Sequence, residues 1–329
     1  MEGNRNVVFD MVKGVGILLV IIGHLSHGYG IAPFIYVFHM PLFFMVSGYF
    51  YRSKKPLVLL KRDIRLLLLP YGIVFFLTLA YGVVMALMRQ DIDKFTYWWT
   101  ENPGTRLPEA ASGPLWFLLA MFWCRMFYNL LSVYVIKDMS KRKNMLSGGV
   151  MVFLVFIVTT KLIPHDYNFA CILAGLSAML FYMIGHVAKL CGLHVPGIVS
   201  VLFVALGFFF LYLSADEVGM EGMKYNHMLI NVFAAVSVTY FVYLVCARFK
   251  ETKVGEGLAW LGRYSIVAFC VHTLMYRIVP WEKALRLFLP SGEDLIVHGG
   301  VTLLHIAISI AFCMLVERTK VLRVVFSIK

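Results

Sequence analysis

The stretch Lys13-Gly14-Val15-Gly16-Ile17-Leu18-Leu19-Val20-Ile21-Ile22-Gly23-His24 sets two ionisable side chains at the ends of an unbroken apolar run. Read as an α-helix, the interval from Lys13 to His24 is three turns, so the two side chains fall within roughly 20° of one face, about 16 Å apart along the axis. A run this apolar predicts a membrane span. There an ionisable group near the bilayer centre costs roughly 2.5 to 3.5 kcal/mol on mild insertion scales, so it faces protein or an aqueous cavity. The stretch therefore predicts a buried polar site between helices.

The rest of the chain agrees with this reading. Hydrophobic residues make up 60% of the 329 and charged residues 15%, against about 45–50% and 25% in soluble domains. Ten apolar runs cover residues 11–30, 33–51, 66–88, 114–135, 146–162, 169–188, 197–214, 227–247, 258–279 and 297–317. At about 18 to 22 residues each, they are long enough to cross roughly 30 Å of hydrocarbon. The fold class expected is all-α: a polytopic integral membrane helical bundle of about ten transmembrane helices. Residues 1–329 form a single transmembrane domain, with no soluble domain left over.

The net charge of +12 points to topology and away from a nucleic-acid partner. With the N-terminus inside, nineteen cations fall on the inner side, among them Arg52, Lys54, Lys55, Lys61, Arg62 and Arg65; eight fall outside and three lie within spans. This bias follows the positive-inside rule and places both termini in the cytoplasm. Met1–Asp10 carries two acidic residues and leads into a span that keeps Asp10 and Lys13, which argues against a cleaved signal peptide. Cys124, Cys171, Cys191, Cys246, Cys270 and Cys313 lie in or beside apolar runs without short paired spacings. They read as small packing residues.

Two outer loops differ in character. Arg89–Gly113 holds Tyr97, Trp98, Trp99, Pro103, Gly104 and Pro108, suited to the interfacial aromatic belt and long enough to act as a lid. Ser214–Asn226, with Asp216, Glu217 and Glu221, reads as a solvated connector.

Depth is the more telling signal. The first span runs outward and carries His24 in its outer half, the second runs inward and carries His39 two turns from its start, and the ninth carries His272 in its outer part. Three imidazoles on three helices at one level suit general-base work on an alcohol, because neutral imidazole accepts a proton near pH 7. A metal site built from the three is the weaker reading, since no carboxylate shares their depth. The other histidines are weaker candidates: His27, His165, His227 and His298 fall at outer ends or loops, His186 and His194 near the inner face, and His305 lacks a neighbouring motif. On the inner side, Lys61, Arg62 and Arg65 are placed to hold phosphates of a nucleotide-bearing donor, Arg62 and Arg65 closest to the membrane. Arg125, inside the fourth span, needs a partner. Glu317 is a possible polar neighbour for Lys13.

These features together resemble the acyltransferase-3 family of integral membrane acyltransferases, and within it the branch similar to fucose 4-O-acetylases. The likeness rests on Asp10-x-x-Lys13-Gly14 and Gly23-His24, with Lys13 where the family element carries arginine, and on Phe38-His39-Met40-Pro41-Leu42-Phe43-Phe44 with Ser47-Gly48-Tyr49-Phe50. It extends to the basic stretch ending in Pro70-Tyr71, Gly113-Pro114-Leu115-Trp116-Phe117-Leu118, and Leu261-Gly262-Arg263-Tyr264-Ser265 followed by His272. It implies transfer of an acyl group, usually acetyl from acetyl-CoA, or another acyl such as succinyl, to a hydroxyl of a glycan or lipid-linked sugar. His24 would be the essential histidine and His39 its partner. Substrate would meet His272, Ser47, Trp116, Lys13 and Arg125, while Lys61, Arg62 and Arg65 bind the acyl-CoA. An ammonium at position 13 cannot make the two parallel hydrogen bonds of a guanidinium.

The resemblance implies no permanently bound cofactor, a bacterial inner-membrane location, and membrane lipids, acyl-CoA and acceptor as partners, with homo-oligomers open through Gly14, Gly16 and Gly23. The chief rival is an exporter of glycans or small acids in which the histidines relay protons. Release of CoA by the purified protein separates the two.

Overall fold

The computed structural model describes residues 6–25, 30–89, 96, 100–102, 107–108, 113–164, 167–192, 197–214, 218–279, 281, 286 and 294–328. In chain order its helices are α1 (Val7–Leu25), α2 (Ala32–Tyr49), α3 (Pro56–Asp63), α4 (Leu69–Arg89), α5 (Trp116–Leu130), α6 (Arg142–Ile157), α7 (Ile172–Cys191), α8 (Gly197–Ser214), α9 (Met228–Phe249), α10 (Lys253–Arg263), α11 (Ser265–Ile278), α12 (Asp294–Arg318) and α13 (Lys320–Val325). A π-helical turn at Ile64–Leu68 joins α3 to α4, and similar turns at Leu131–Ile136 and Val158–Leu162 extend α5 and α6. Among the described residues, extended pairing is limited to Glu101–Asn102 against Leu107–Pro108 and a bridge between Gly219 and Lys224. Most of the Arg89–Gly113 loop, read above as lid-like, lies outside the described residues.

Among the described residues nine helices are long and apolar enough to cross a membrane, and α10 with α11 forms a further pair bent by 71°. This corrects the expectation of one straight span over 258–279. Tyr264 interrupts the helix, Arg263 is exposed at the break, and α10 is a short amphipathic helix capped by Thr252, whose Oγ1 accepts from the Gly255 amide at 3.0 Å. With its fourteen residues, α11 reaches only about 21 Å.

The outward faces are apolar. Leu87 is 74% exposed, Ile198 72% and Tyr212 75%, a burden that water would not tolerate over whole helix faces but lipid does. The inward faces centre on α1 and α2. Helix α1 packs against α2, α9, α10, α11 and α12, and α2 packs against α7 and α9 as well. Small residues allow these approaches. A methyl group on Gly48 would run into the Tyr182 carbonyl, one on Gly185 into the Met45 carbonyl, and one on Gly262 into the Asp10 carbonyl. Backbones thus cross with no room for Cβ. Pro41 sits inside α2 and removes one donor from its hydrogen-bond ladder.

Candidate active site

The three histidines at one depth do converge. The ring of His24 lies 5.4 Å from that of His272 and 6.4 Å from that of His39, centre to centre. His39 and His272 are buried, and His24 is half-buried where α1 ends. Two tyrosines complete the cluster: Tyr36, 5.2 Å from His39 and 6.0 Å from His24, and Tyr276, 6.4 Å from His24. The Tyr36 hydroxyl donates to the Gly23 carbonyl at 3.1 Å, tying the start of α2 to the end of α1.

Local helix geometry fixes the chemistry of the two leading rings. His24 Nδ1 lies 2.8 Å from the Val20 carbonyl, and His39 Nδ1 lies 2.8 Å from the Ile35 carbonyl. A carbonyl only accepts, so each Nδ1 carries the hydrogen and each neutral ring keeps its lone pair on Nε2. Both are therefore bases with a fixed tautomer.

A cavity of about 660 Å³ opens beside them, lined by His24, Tyr36, His39 and Met40, by Gly113, Pro114 and Trp116 at the start of α5, by Val218–Glu221, and by Tyr276 and Arg277. Gly113 adopts φ +60, and its Cα faces the Arg277 guanidinium so closely that a side chain there would displace it. The segment after α8 is not the solvated connector expected. Residues 215–217 lie outside the described set, but Val218, Met220, Met223 and Tyr225 are buried. The Gly219 and Lys224 backbones exchange hydrogen bonds of 3.0 and 2.9 Å. Asn168 Nδ2 donates to the Glu221 carbonyl at 2.9 Å and Lys161 Nζ to the Tyr225 carbonyl at 3.2 Å. This pinned turn roofs the cavity.

The other candidate residues form a second centre towards the opposite face. Arg125 donates to Asp63 through Nε at 2.7 Å and Nη2 at 3.0 Å, and Nη1 reaches Ser47 Oγ at 3.4 Å. Arg125 and Ser47, read as substrate-binding, thus belong to this centre and not to the histidine cavity. Trp116 lines the cavity, whereas His272, also read as substrate-binding, is fully buried behind His24 and does not line it. Arg62 lies 4.0 Å from Asp63 with its side chain 47% exposed, and Lys61 and Arg65 are exposed beside it. Next to them Asn129 clamps the chain between α2 and α3: its Oδ1 accepts from the Lys54 amide and the Tyr51 hydroxyl, and its Nδ2 donates to the Lys54 carbonyl.

Lys13 lies elsewhere, paired with Asp10 one turn earlier. Glu317 is not its partner; that carboxylate accepts from the Trp260 indole and the Tyr264 hydroxyl. Among the described residues no set of three or more His, Cys, Asp and Glu is arranged to hold a metal ion.

Sequence reasoning missed Asp63 and His305. Asp63 sits beside Arg62 in a run that reads as basic, and only the fold brings it to Arg125. His305 of α12 lies with its Nδ1 3.3 Å from His272 Nδ1. The depth argument that selected His39 also selects His305, well inside a span that runs the same way.

A family model described as an acyltransferase domain matches residues 6–317, and the chain belongs to this acyltransferase-3 family. The nodulation protein NolL of Sinorhizobium fredii is 44% identical over 14% of this chain and 16% of that protein. NolL of Mesorhizobium japonicum is 46% identical over 14% of this chain and 15% of that protein. The chain therefore matches only a short part of these relatives' length. No solved structure matches it.

Proposed function

We propose that this member of the acyltransferase-3 family transfers an acetyl group from cytoplasmic acetyl-CoA to a hydroxyl of a glycan or lipid-linked sugar in a bacterial inner membrane. The observation that carries this reading is the pair of tautomer-fixed imidazoles, His24 and His39, on the wall of a cavity large enough for a sugar. An alcohol is a poor nucleophile until a base takes its proton, and a positioned imidazole supplies about 10² to 10⁴-fold in rate.

In this reading the acceptor enters beside Trp116, under the roof of Val218–Glu221. As the hydroxyl oxygen attacks the thioester carbon, His24 Nε2 takes its proton; the new C–O bond forms, the C–S bond breaks, and the proton ends on the sulfur of CoA. His39 orients the acceptor or the base. Direct attack is preferred to a transient acyl-imidazole. Lys61, Arg62 and Arg65 hold the CoA phosphates at the cytoplasmic face through charge-assisted hydrogen bonds, on a segment anchored by the Asp63–Arg125 pair. The likeness of the local patterns to the fucose 4-O-acetylase branch supports a sugar hydroxyl as acceptor.

The test uses the full chain in proteoliposomes with acetyl-CoA and an extract of envelope glycans. CoA release coupled to new O-acetyl groups, read by mass spectrometry and lost in His24→Ala, is the expected result. Movement of a glycan without CoA release would replace this reading with export. An active His24→Ala protein would remove the base assignment.

A further inference from the structure

The step just described uses His24 and leaves a second imidazole pair unexplained. His272 of α11 and His305 of α12 are both fully buried, with Nδ1 atoms 3.3 Å apart and ring centres 5.4 Å apart. Two neutral rings in this contact share one hydrogen: one Nδ1 donates, the other accepts, and the two rings hold opposite tautomers. Both Nε2 atoms are buried and make no hydrogen bond. Buried polar atoms without partners are rare, and each calls for an explanation such as a functional role.

One link is a hydrogen bond, between His272 and His305. His24 lies beside His272 with ring centres 5.4 Å apart, close to the His272 Nε2 that has no partner. The other ring, His305, is covered by Trp281 at 4.9 Å, and that indole N–H is held by the Met275 carbonyl at 3.1 Å. A proton accepted at His272 Nε2 pushes the Nδ1 hydrogen across to His305 Nδ1, so the positive charge crosses two rings although each hydrogen moves a short way.

We propose that His272 and His305 form a proton store for acyl transfer, a proposal that rests on the acyltransferase reading. During attack His24 takes the hydroxyl proton on Nε2, the ring turns to bring that atom against the unpartnered His272 Nε2 and hands the proton over, and His272 passes its Nδ1 hydrogen to His305, which becomes the imidazolium. As the C–S bond breaks the same hops run backwards, and His24 delivers the proton to the leaving sulfur. The hydroxyl proton is then on the CoA thiol, and all three rings regain their starting state. His305 touches no reacting atom and acts through His272.

The decisive variant is His305→Asn, whose amide takes the place of Nδ1 in the hydrogen bond but holds no proton. It is expected to insert normally and to lose about tenfold or more in kcat with KM for acetyl-CoA unchanged. A companion, His305→Ala, is expected to regain turnover with added 4-methylimidazole or imidazole and not with pyrazole, a ring of the same size but a far weaker base. Normal kcat in His305→Asn, or equal rescue by pyrazole and imidazole, overturns the store and leaves a packing role. Absence of CoA release by the unaltered protein overturns the acyl-transfer reading itself, which keeps the two failures apart.

Discussion

Removing Asp63 isolates one charge in the interior. The carboxylate is fully buried, the Arg125 side chain is 12% exposed, and two hydrogen bonds of 2.7 and 3.0 Å join them. Unit charges about 4 Å apart attract by about 4 kcal/mol at an effective dielectric of 20, and breaking a buried pair from one side typically costs about 3–5 kcal/mol. Asp63→Ala is therefore expected to destabilise by about 3–5 kcal/mol. The double variant Asp63→Leu/Arg125→Met, which takes both charges away, should recover most of that loss, because buried pairs often break even against apolar replacements of similar volume. Arg62→Ala is the internal control. Its half-exposed side chain at 4.0 Å is worth under about 1 kcal/mol to stability. Reversible unfolding of the purified protein in mixed micelles measures all three. A loss below about 1 kcal/mol in Asp63→Ala, the range of an exposed pair, would refute the claim that Arg125 depends on this carboxylate.

The glycine crossings give an opposed pair of outcomes: Gly48→Ala, aimed at the Tyr182 carbonyl, should lose about 1–3 kcal/mol by overpacking, whereas Gly72→Ala, with nothing within 4 Å, should gain about 0.5–1 kcal/mol, both read in the same micelles. Replacing Lys61, Arg62 and Arg65 together by Gln should raise KM for acetyl-CoA while leaving thermal stability unchanged, and the unaltered protein's KM should rise with ionic strength as these contacts are screened. His24→Ala should lower kcat by about 10² to 10⁴-fold without changing yield in the membrane.

Hydropathy is local, and what depends on it was legible. Ten apolar runs became, among the described residues, nine long helices and one bent pair, and the common depth of His24, His39 and His272 became a cluster in which the His24 ring lies near both of the others. What needed the packing itself was hidden. Asp63 and Arg125 are sixty-two positions apart, and no periodicity tells a span which neighbour it meets. The break at Tyr264 was concealed because α10, with Leu258, Trp260 and Leu261, is apolar enough to pass as the start of a span. The turn over Val218–Tyr225 looked solvated because Asp216, Glu217 and Glu221 colour the reading of the whole stretch Ser214–Asn226, whereas its order comes from Asn168 and Lys161 on distant segments.

Helix α2 carries a residue of each polar centre, His39 in the cavity and Ser47 beside Arg125, eight positions or about 12 Å apart along the axis. Pro41 stands between them, where the missing N–H weakens the ladder and permits a kink. It is a fulcrum set inside the lever that joins the two polar centres. A swing of about 10° at Pro41, about 9 Å from Ser47, carries Ser47 through about 1.6 Å relative to His39, the scale on which, in the proposed transfer, a thioester and an alcohol would pass from neighbours to reactants.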